Sequence, residues 1–421
     1  MENNLIKNNN RAYTVLTLSV FVVEFIYAMA GTVWSVLLPH LMNYYGKTVT
    51  DIGNATSMFG VGSIVGVLAL MVILDKFKKP KVLSVIIAFF FVAIFLQGIA
   101  PDFSILPIAY FTFGMSGMAL DTVNAAIIVD IYEEKSKTYV SLLHGIFSIG
   151  SILGPLYAQF LLKSGFSWNI PYLISSIVIA IIFVIYLGII IKNKKAITTL
   201  HHSTQKELTG EELTIKQFFS KGVVIFSIIA IFFIMGSQNL STGWIVKYLK
   251  ENLNETGDIT MFAPTMFFIG MATARFSAPI IYKKIAPLKM LTLFLSIASV
   301  VSFGAYLSDN VYFIIASMFV FGFGLGTSTP AVITNLCAAF PGQSGRASSF
   351  AFIGMGIGGV IYSLLGAAII TNFGMKADLI VSSTLLLASA PVIYLLYKLN
   401  LKREREEKEA AAKAIKQECL S

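Results

Sequence analysis

Apolar residues in this 421-residue chain come in runs of about twenty or more, parted by short polar segments. Such runs are long enough to cross about 30 Å of hydrocarbon as helices. They fall at 13–39, 52–74, 82–100, 105–131, 138–163 and 171–191, then at 223–247, 259–282, 288–307, 311–337, 348–371 and 377–399. The pattern predicts an N-terminal six-helix bundle over 1–191, a cytoplasmic linker over 192–222, a C-terminal six-helix bundle over 223–399 and a tail helix over 400–421. The linker holds "HHSTQKELTGEE", which reads as a flexible loop leading into a short amphipathic helix. The tail, "KREREEKEAAAKAIKQE", is a strong helix former charged on every face and reads as a solvated helix.

The two sets of runs resemble each other. A gapless shift of 208 residues pairs Met58-Phe59 with Met266-Phe267, Gly62 with Gly270, and Lys81 with Lys289. It also pairs Phe111, Phe113 and Gly114 with Phe319, Phe321 and Gly322, and Gly150 with Gly358. Single identities between apolar segments carry little weight. One constant offset that also superposes the basic turns "DKFKKPK" and "KKIAPLK" predicts two pseudo-symmetric six-helix bundles in an all-α membrane protein of twelve transmembrane helices.

Composition agrees: 56% of residues are hydrophobic, 13% are charged, and the mean hydropathy is +0.78, values that a soluble domain could hardly accommodate. The net charge of +9 does not point to nucleic acid, because the basic residues are scattered between apolar runs instead of gathered on one face. With the N-terminus inside, the outer loops hold only Lys47, Lys163, Lys247, Lys250 and Lys376, and Arg275 lies within a span. All other lysines and arginines face the cytoplasm, so both termini are expected there. Cys337 and Cys419 form no disulfide framework and no metal-ligand spacing. Ala28-Met29-Ala30 superficially resembles a signal-peptidase site, but Glu24 interrupts the preceding apolar stretch, and the first helix is expected to be retained.

Charged residues inside these runs are candidates for function by default. Asp121 lies about ten residues from the inner end of helix 4, near mid-bilayer at about 1.5 Å per residue, on one face with Gly117 and Asn124. Glu24 on helix 1 reaches matching depth, with Tyr27, Gly31 and Trp34 on nearly the same stripe. Two carboxyls thus approach the midplane in one half, and a carboxyl placed so can load and unload protons. Asp130, followed by Glu133 and Glu134, is expected to be an inner-gate or interfacial charge. Arg275 reads equally as a gate partner, a structural clamp or a solute contact.

Along helix 5, His144, Ser148, Ser151, Pro155 and Gln159 form a polar stripe. A lone histidine there is more often a packing residue than a relay, yet a neutral imidazole also suits a hydroxylated solute. Helix 7 supplies Gln238, Asn239, Ser241 and Thr242, and helix 10 supplies Ser328, Thr329, Thr334 and Asn335. Trp34 and Trp244 read as interfacial anchors, and Gly354, Gly356, Gly358 and Gly359 as close-packing positions on helix 11. Polar uncharged groups around one or two acids suit a neutral, hydroxyl-rich solute moved with a proton, whereas a cavity for cationic drugs should hold more aromatic surface. No Walker loop and no nucleophile-base arrangement stands out, so neither an ATP-driven pump nor an enzyme is expected.

With these residues in hand, the chain resembles the major facilitator transporters, and among them the fucose permease type of sugar:proton symporter. The matching stretches are "GMALDTVNA", "LLHGIFSIGSILGP" at 142–155, "GWIVKYL" at 243–249, Ala274-Arg275, and "GRASSFAFIGMGIGG" at 345–359. The resemblance implies a central cavity lined by helices 1, 4, 7 and 10, with proton coupling at the position matched by Asp121. The sequence differs in having Ala125 after Asn124, where several members have Asn-Pro, and Ser35 before "LLPH", where fucose permeases carry an aspartate. Met71, Asp75-Lys76 and Lys78-Lys79-Pro80 make a degraded copy of the facilitator loop between helices 2 and 3, implying a gating role for Asp75. The drug:proton antiporter pattern on helix 5 is incomplete: Gly150, Gly154 and Pro155 are followed by Tyr157, Ala158 and Gln159.

The expectation is a monomeric secondary transporter of the cytoplasmic membrane, importing a neutral sugar or similar solute with a proton and needing no cofactor. Asp121 and Glu24 would handle the proton. Asn124, His144, Tyr27, Gln159, Gln238, Asn239 and Asn335 would contact solute, and Asp75, Asp130 and Arg275 would gate. The alternatives are an efflux antiporter for amphipathic compounds and a non-transporting nutrient sensor, for which a folded cytoplasmic domain would be the cue.

Overall fold

A computed structural model describes residues 2–418 apart from 75–76, 133–135, 206–214, 256 and 341–343. Among these residues the chain is all helical, and twelve helices are long and apolar enough to cross a membrane. In chain order they are α1 (Arg11–Thr32), α2 (Val49–Leu70), α3 (Lys79–Ile99), α4 (Ile105–Tyr132), α5 (Leu142–Lys163) and α6 (Ile170–Lys192). There follow α7 (Gly222–Glu251), α8 (Asp258–Ala278), α9 (Pro287–Ser308), α10 (Val311–Ala339), α11 (Ser349–Phe373) and α12 (Met375–Glu406). Phe160, Val184, Ile191 and Val300 stand exposed on the outside, a placement that lipid accepts and water penalises.

Four local features depart from the hydropathy pattern. The first span breaks at Val33 and resumes as a short helix, Trp34–Tyr45, which Gly46 ends in the left-handed region at φ 60°. Helix α10 breaks between Leu325 and Ser328. Pro330, lacking an N–H, leaves the carbonyl four residues earlier, that of Gly326, without its helical donor. In the linker, a helix spans Lys194–Gln205, covering His201 and His202 where a loop is expected, and a short helix follows at Ile215–Phe219. The tail is not a separate element, because one helix runs from Met375 to Glu418.

Buried side chains form two large cores, one drawn from residues between Leu16 and Ile197, the other from residues between Phe218 and Leu396. Glycines let the helices within each core touch at the backbone. A Cβ on Gly62 would lie 1.9 Å from the Phe111 carbonyl oxygen, and one on Gly114 would lie 1.9 Å from that of Phe59. The second core repeats both contacts: Gly270 meets Phe319 O at 2.0 Å and Gly322 meets Phe267 O at 1.9 Å. Every partner in the α2–α4 contact is thus shifted by the same offset in the α8–α10 contact.

The cores meet through α2 against α11 and α5 against α8. Gly60 faces Val360 and Gly356, and Thr50 hydrogen-bonds Thr371 at 3.1 Å. Gly356 and Gly359 lie against α2, while Gly354 and Gly358 lie against α7. At the end remote from the linker the seam is shut: Leu38, Ile52, Trp244 and Ile370 pack together, and Trp34 lies over Gly243. Farther along the seam the halves meet again, where Val67, Met118 and Phe352 pack together with Ile333 and Met355 against them.

Candidate functional site

The apolar character of α4 is interrupted midway by Asp121. Three residues on, Asn124 points at α1, donating its Nδ2 to Glu24 Oε2 at 2.7 Å. Glu24 is 0% exposed. His144 on α5 brings Nδ1 to 3.8 Å from Asp121 Oδ1, and ligating atoms of Glu24, Asp121 and His144 lie within 4.8 Å of one another. Glu24 Oε1 and Asp121 Oδ1 are buried and accept no hydrogen bond from another side chain or the backbone. These are also the residues able to hold a metal ion. A proton needs only two facing carboxyl oxygens, and those are the two atoms left over.

Gly117, one turn before Asp121, makes room for Tyr27; a Cβ there would lie 2.8 Å from the ring. That ring is wedged among Phe90, Phe113 and Phe147, with centroids at 5.6, 6.4 and 5.7 Å. The wedge keeps the acids against an apolar wall on one side and the seam on the other.

Arg275 reaches the same place from the opposite half. The α10 break frees the Gly326 carbonyl, and Arg275 Nε donates to it at 2.9 Å. Its Nη1 crosses the seam to donate to Ser148 Oγ at 2.9 Å and to the His144 carbonyl at 3.2 Å. Its guanidinium carbon lies 5.6 Å from the Phe147 ring centroid. Among the described residues, neither Glu24 nor Asp121 comes within 4.0 Å of Arg275 as an ion pair.

Between the halves lies a cavity of about 230 Å³. Asp121, His144 and Tyr27 line it from the first half, and Gln238, Asn239 and Arg275 from the second. Glu24 stands behind this wall. Asn124, Gln159 and Asn335, expected as solute contacts, are buried elsewhere. Asn124 is committed to Glu24, and Asn335 lies about two turns farther along its helix than Ser328, which does line the cavity. Asp75 lies outside the described residues.

One other expectation is corrected. Trp34 and Trp244 are not interfacial anchors; both line the cavity beneath its closed end. Asp130, expected as an inner-gate or interfacial charge, pairs with Lys79 of the same half at 2.6 Å. Asp130→Ala is expected to cost about 1–3 kcal/mol, since it strands a half-buried lysine. A lowered thermal midpoint in detergent, with proton dependence of transport retained, checks this.

The sequence reading also missed wall residues. Gln97, 2% exposed, is the one amide in the apolar α3 run "FFFVAIFLQGI", a signal that was there to be found. Thr56, Tyr110, Phe268 and Tyr362 join the wall, and nothing in hydropathy marks them. The wall is more aromatic than the polar residues suggested.

The sequence profile of the Major Facilitator Superfamily matches residues 20–309 and 227–418. The glucose/mannose transporter GlcP of Bacillus subtilis is 30% identical over 136 residues, 32% of this chain and 34% of that protein. A TsgA homolog of Buchnera aphidicola is 23% identical over 257 residues, 59% of this chain and 62% of that one. The inner membrane transport protein YdiN of Escherichia coli is 21% identical over 402 residues, 93% of each chain. The chain therefore spans about a third of the first relative and about three-fifths of the second.

Proposed function

The chain belongs to the major facilitator superfamily of secondary transporters, and we propose that it carries a sugar or similarly hydroxylated small solute across the cytoplasmic membrane together with a proton. One observation carries this reading: two buried carboxyls, Glu24 and Asp121, meet with unpaired oxygens at the edge of a cavity that both halves line. An ionised pair in hydrocarbon without a cation in contact costs several kcal/mol, so proton uptake relieves the site and proton release strains it. Amides lining the cavity, Gln97 from the first half and Gln238 and Asn239 from the second, offer donors and acceptors in pairs, which matches vicinal hydroxyls. Partial similarity to a glucose/mannose transporter supports the same class.

In the proposed cycle the two bundles rock about the α2–α11 and α5–α8 seams, with both termini cytoplasmic. In that cycle the cluster beneath Trp34 and Trp244 would act as the outer gate. Loading of proton and solute from outside requires the Leu38, Ile52, Trp244 and Ile370 cluster to part.

The aromatic wall favours a second reading, export of an amphipathic compound in exchange for protons. Proteoliposomes with an imposed pH gradient separate the two. Accumulation of a sugar or sugar derivative driven by inward proton flow supports symport. Extrusion of a lipophilic dye under the same gradient, with no sugar movement, replaces it with antiport.

A further inference from the structure

The guanidinium of Arg275 is held at two of its three nitrogens. Nε and Nη1 donate to Gly326, His144 and Ser148, none of which carries a negative charge at the accepting atom. Nη2 has no protein acceptor among the described residues, and it is not sealed from the cavity that Arg275 lines. The two N–H groups of that one nitrogen therefore stand open toward the solute space. They diverge, so each can give one charge-assisted hydrogen bond, and the acceptor such a donor holds most strongly is an anionic oxygen such as a carboxylate's.

Charge decides the class. A cation shut in a low-dielectric site needs a counter-charge, and the nearest acids, Asp121 and Glu24, do not touch it. From the elements packed around the cluster, the other titratable groups facing it are Tyr27 and His144. With both neutral and one proton shared by the two acids, the cluster of Arg275, Glu24 and Asp121 sums to zero. A carboxylate solute would make it negative unless one more proton entered with it. A neutral sugar would impose no such condition.

We propose that Arg275 is the docking point for a carboxylate on the carried molecule, making the solute a hydroxylated carboxylic acid such as a sugar acid. The inference rests on the reading of a hydroxylated solute moved with a proton and narrows it. Solute and proton are then linked directly by electrostatics, and the pair moves without net charge.

The test uses the purified full-length protein and matched pairs that differ in one carboxylate: glucose with glucuronate, and galactose with galacturonate. Thermal shift and tryptophan fluorescence, the latter reporting from Trp34 and Trp244 on the wall, are followed at about pH 5.5 and about pH 7.5. The acid member of a pair should bind more tightly than the neutral one, and more tightly at the lower pH. Arg275→Gln should weaken the acid on the order of 10- to 100-fold and remove its preference over the neutral member. Arg275→Lys, which keeps the charge but not the planar guanidinium, should recover part of the loss. Should Arg275→Gln fail to fold, Ser148→Ala loosens the guanidinium and should weaken the acid alone. Equal binding of both members, or acid binding indifferent to Arg275→Gln, overturns the docking role and leaves the sugar symporter standing. Silence from both members of both pairs, with stabilisation by a lipophilic cation, removes both readings.

Discussion

Asp121→Asn is expected to abolish uphill accumulation while sparing solute exchange. In proteoliposomes the wild-type protein, coupled to one proton, should concentrate solute up to about tenfold per unit of pH gradient. The variant should stop at equal concentrations inside and out, yet exchange labelled for unlabelled solute at a rate close to wild type. The side chains have nearly the same shape, and the new amide can donate to Glu24 Oε1, the oxygen that now lacks a partner. Packing and the cavity are therefore preserved, and only the exchangeable proton is lost. Glu24→Gln gives the comparison. Because Glu24 lies behind the wall and already accepts from Asn124, its loss should weaken coupling less completely. If Asp121→Asn still accumulated solute to the wild-type ratio, the proton would have to travel by another route.

Gly114→Val should have the largest effect on the fold itself. A side chain at Gly114 meets the Phe59 carbonyl oxygen at 1.9 Å and further Phe59 backbone at 2.7 Å. Backbone cannot rotate aside, so α2 and α4 must separate. Overpacking of a core typically costs about 1–3 kcal/mol, and a contact that is backbone on both sides belongs beyond that range. Little monodisperse protein is expected in size-exclusion chromatography, and Gly322→Val should behave alike because Gly322 meets Phe267 O at the same distance. Gly188→Ala and Gly304→Ala serve as controls. Nothing lies within 4 Å of a Cβ at either position, and alanine in a helix interior gains about 0.5–1 kcal/mol over glycine. Normal folding of Gly114→Val would mean that the α2–α4 contact is looser than its geometry.

The membrane spans were legible because hydropathy reports directly on what lipid can solvate. The repeat was legible for a related reason: close contacts between helices need glycine, and Gly62, Gly114, Gly270 and Gly322 fall where two equivalent contacts need them. Counting depth along two helices of opposite direction sufficed to bring Glu24 and Asp121 together. What the polar pattern did not give was which of its residues reach the cavity. Ser328 and Thr329 line it, whereas Asn335, about two turns farther along the same helix, is buried away from it. Trp34 and Trp244 have the composition of interface anchors, and only the packing of one half on the other reveals them as a lid. Arg275 was visible as a buried cation, but the carbonyl that holds it exists only because Pro330 interrupts the helix. A break and the side chain that exploits it are far apart in sequence, so neither announces the other.

One helix from Met375 to Glu418 measures about 66 Å at 1.5 Å per residue, roughly twice the hydrocarbon thickness. Its far half is a helical mast continuous with the last span of the C-terminal bundle. Any tilt of that bundle during the cycle is magnified at the tip in proportion to the mast's length. A fluorophore there, paired with one on the short helix Lys194–Gln205, would turn a shift of a few ångströms at the cavity into a change in energy transfer large enough to time single turnovers.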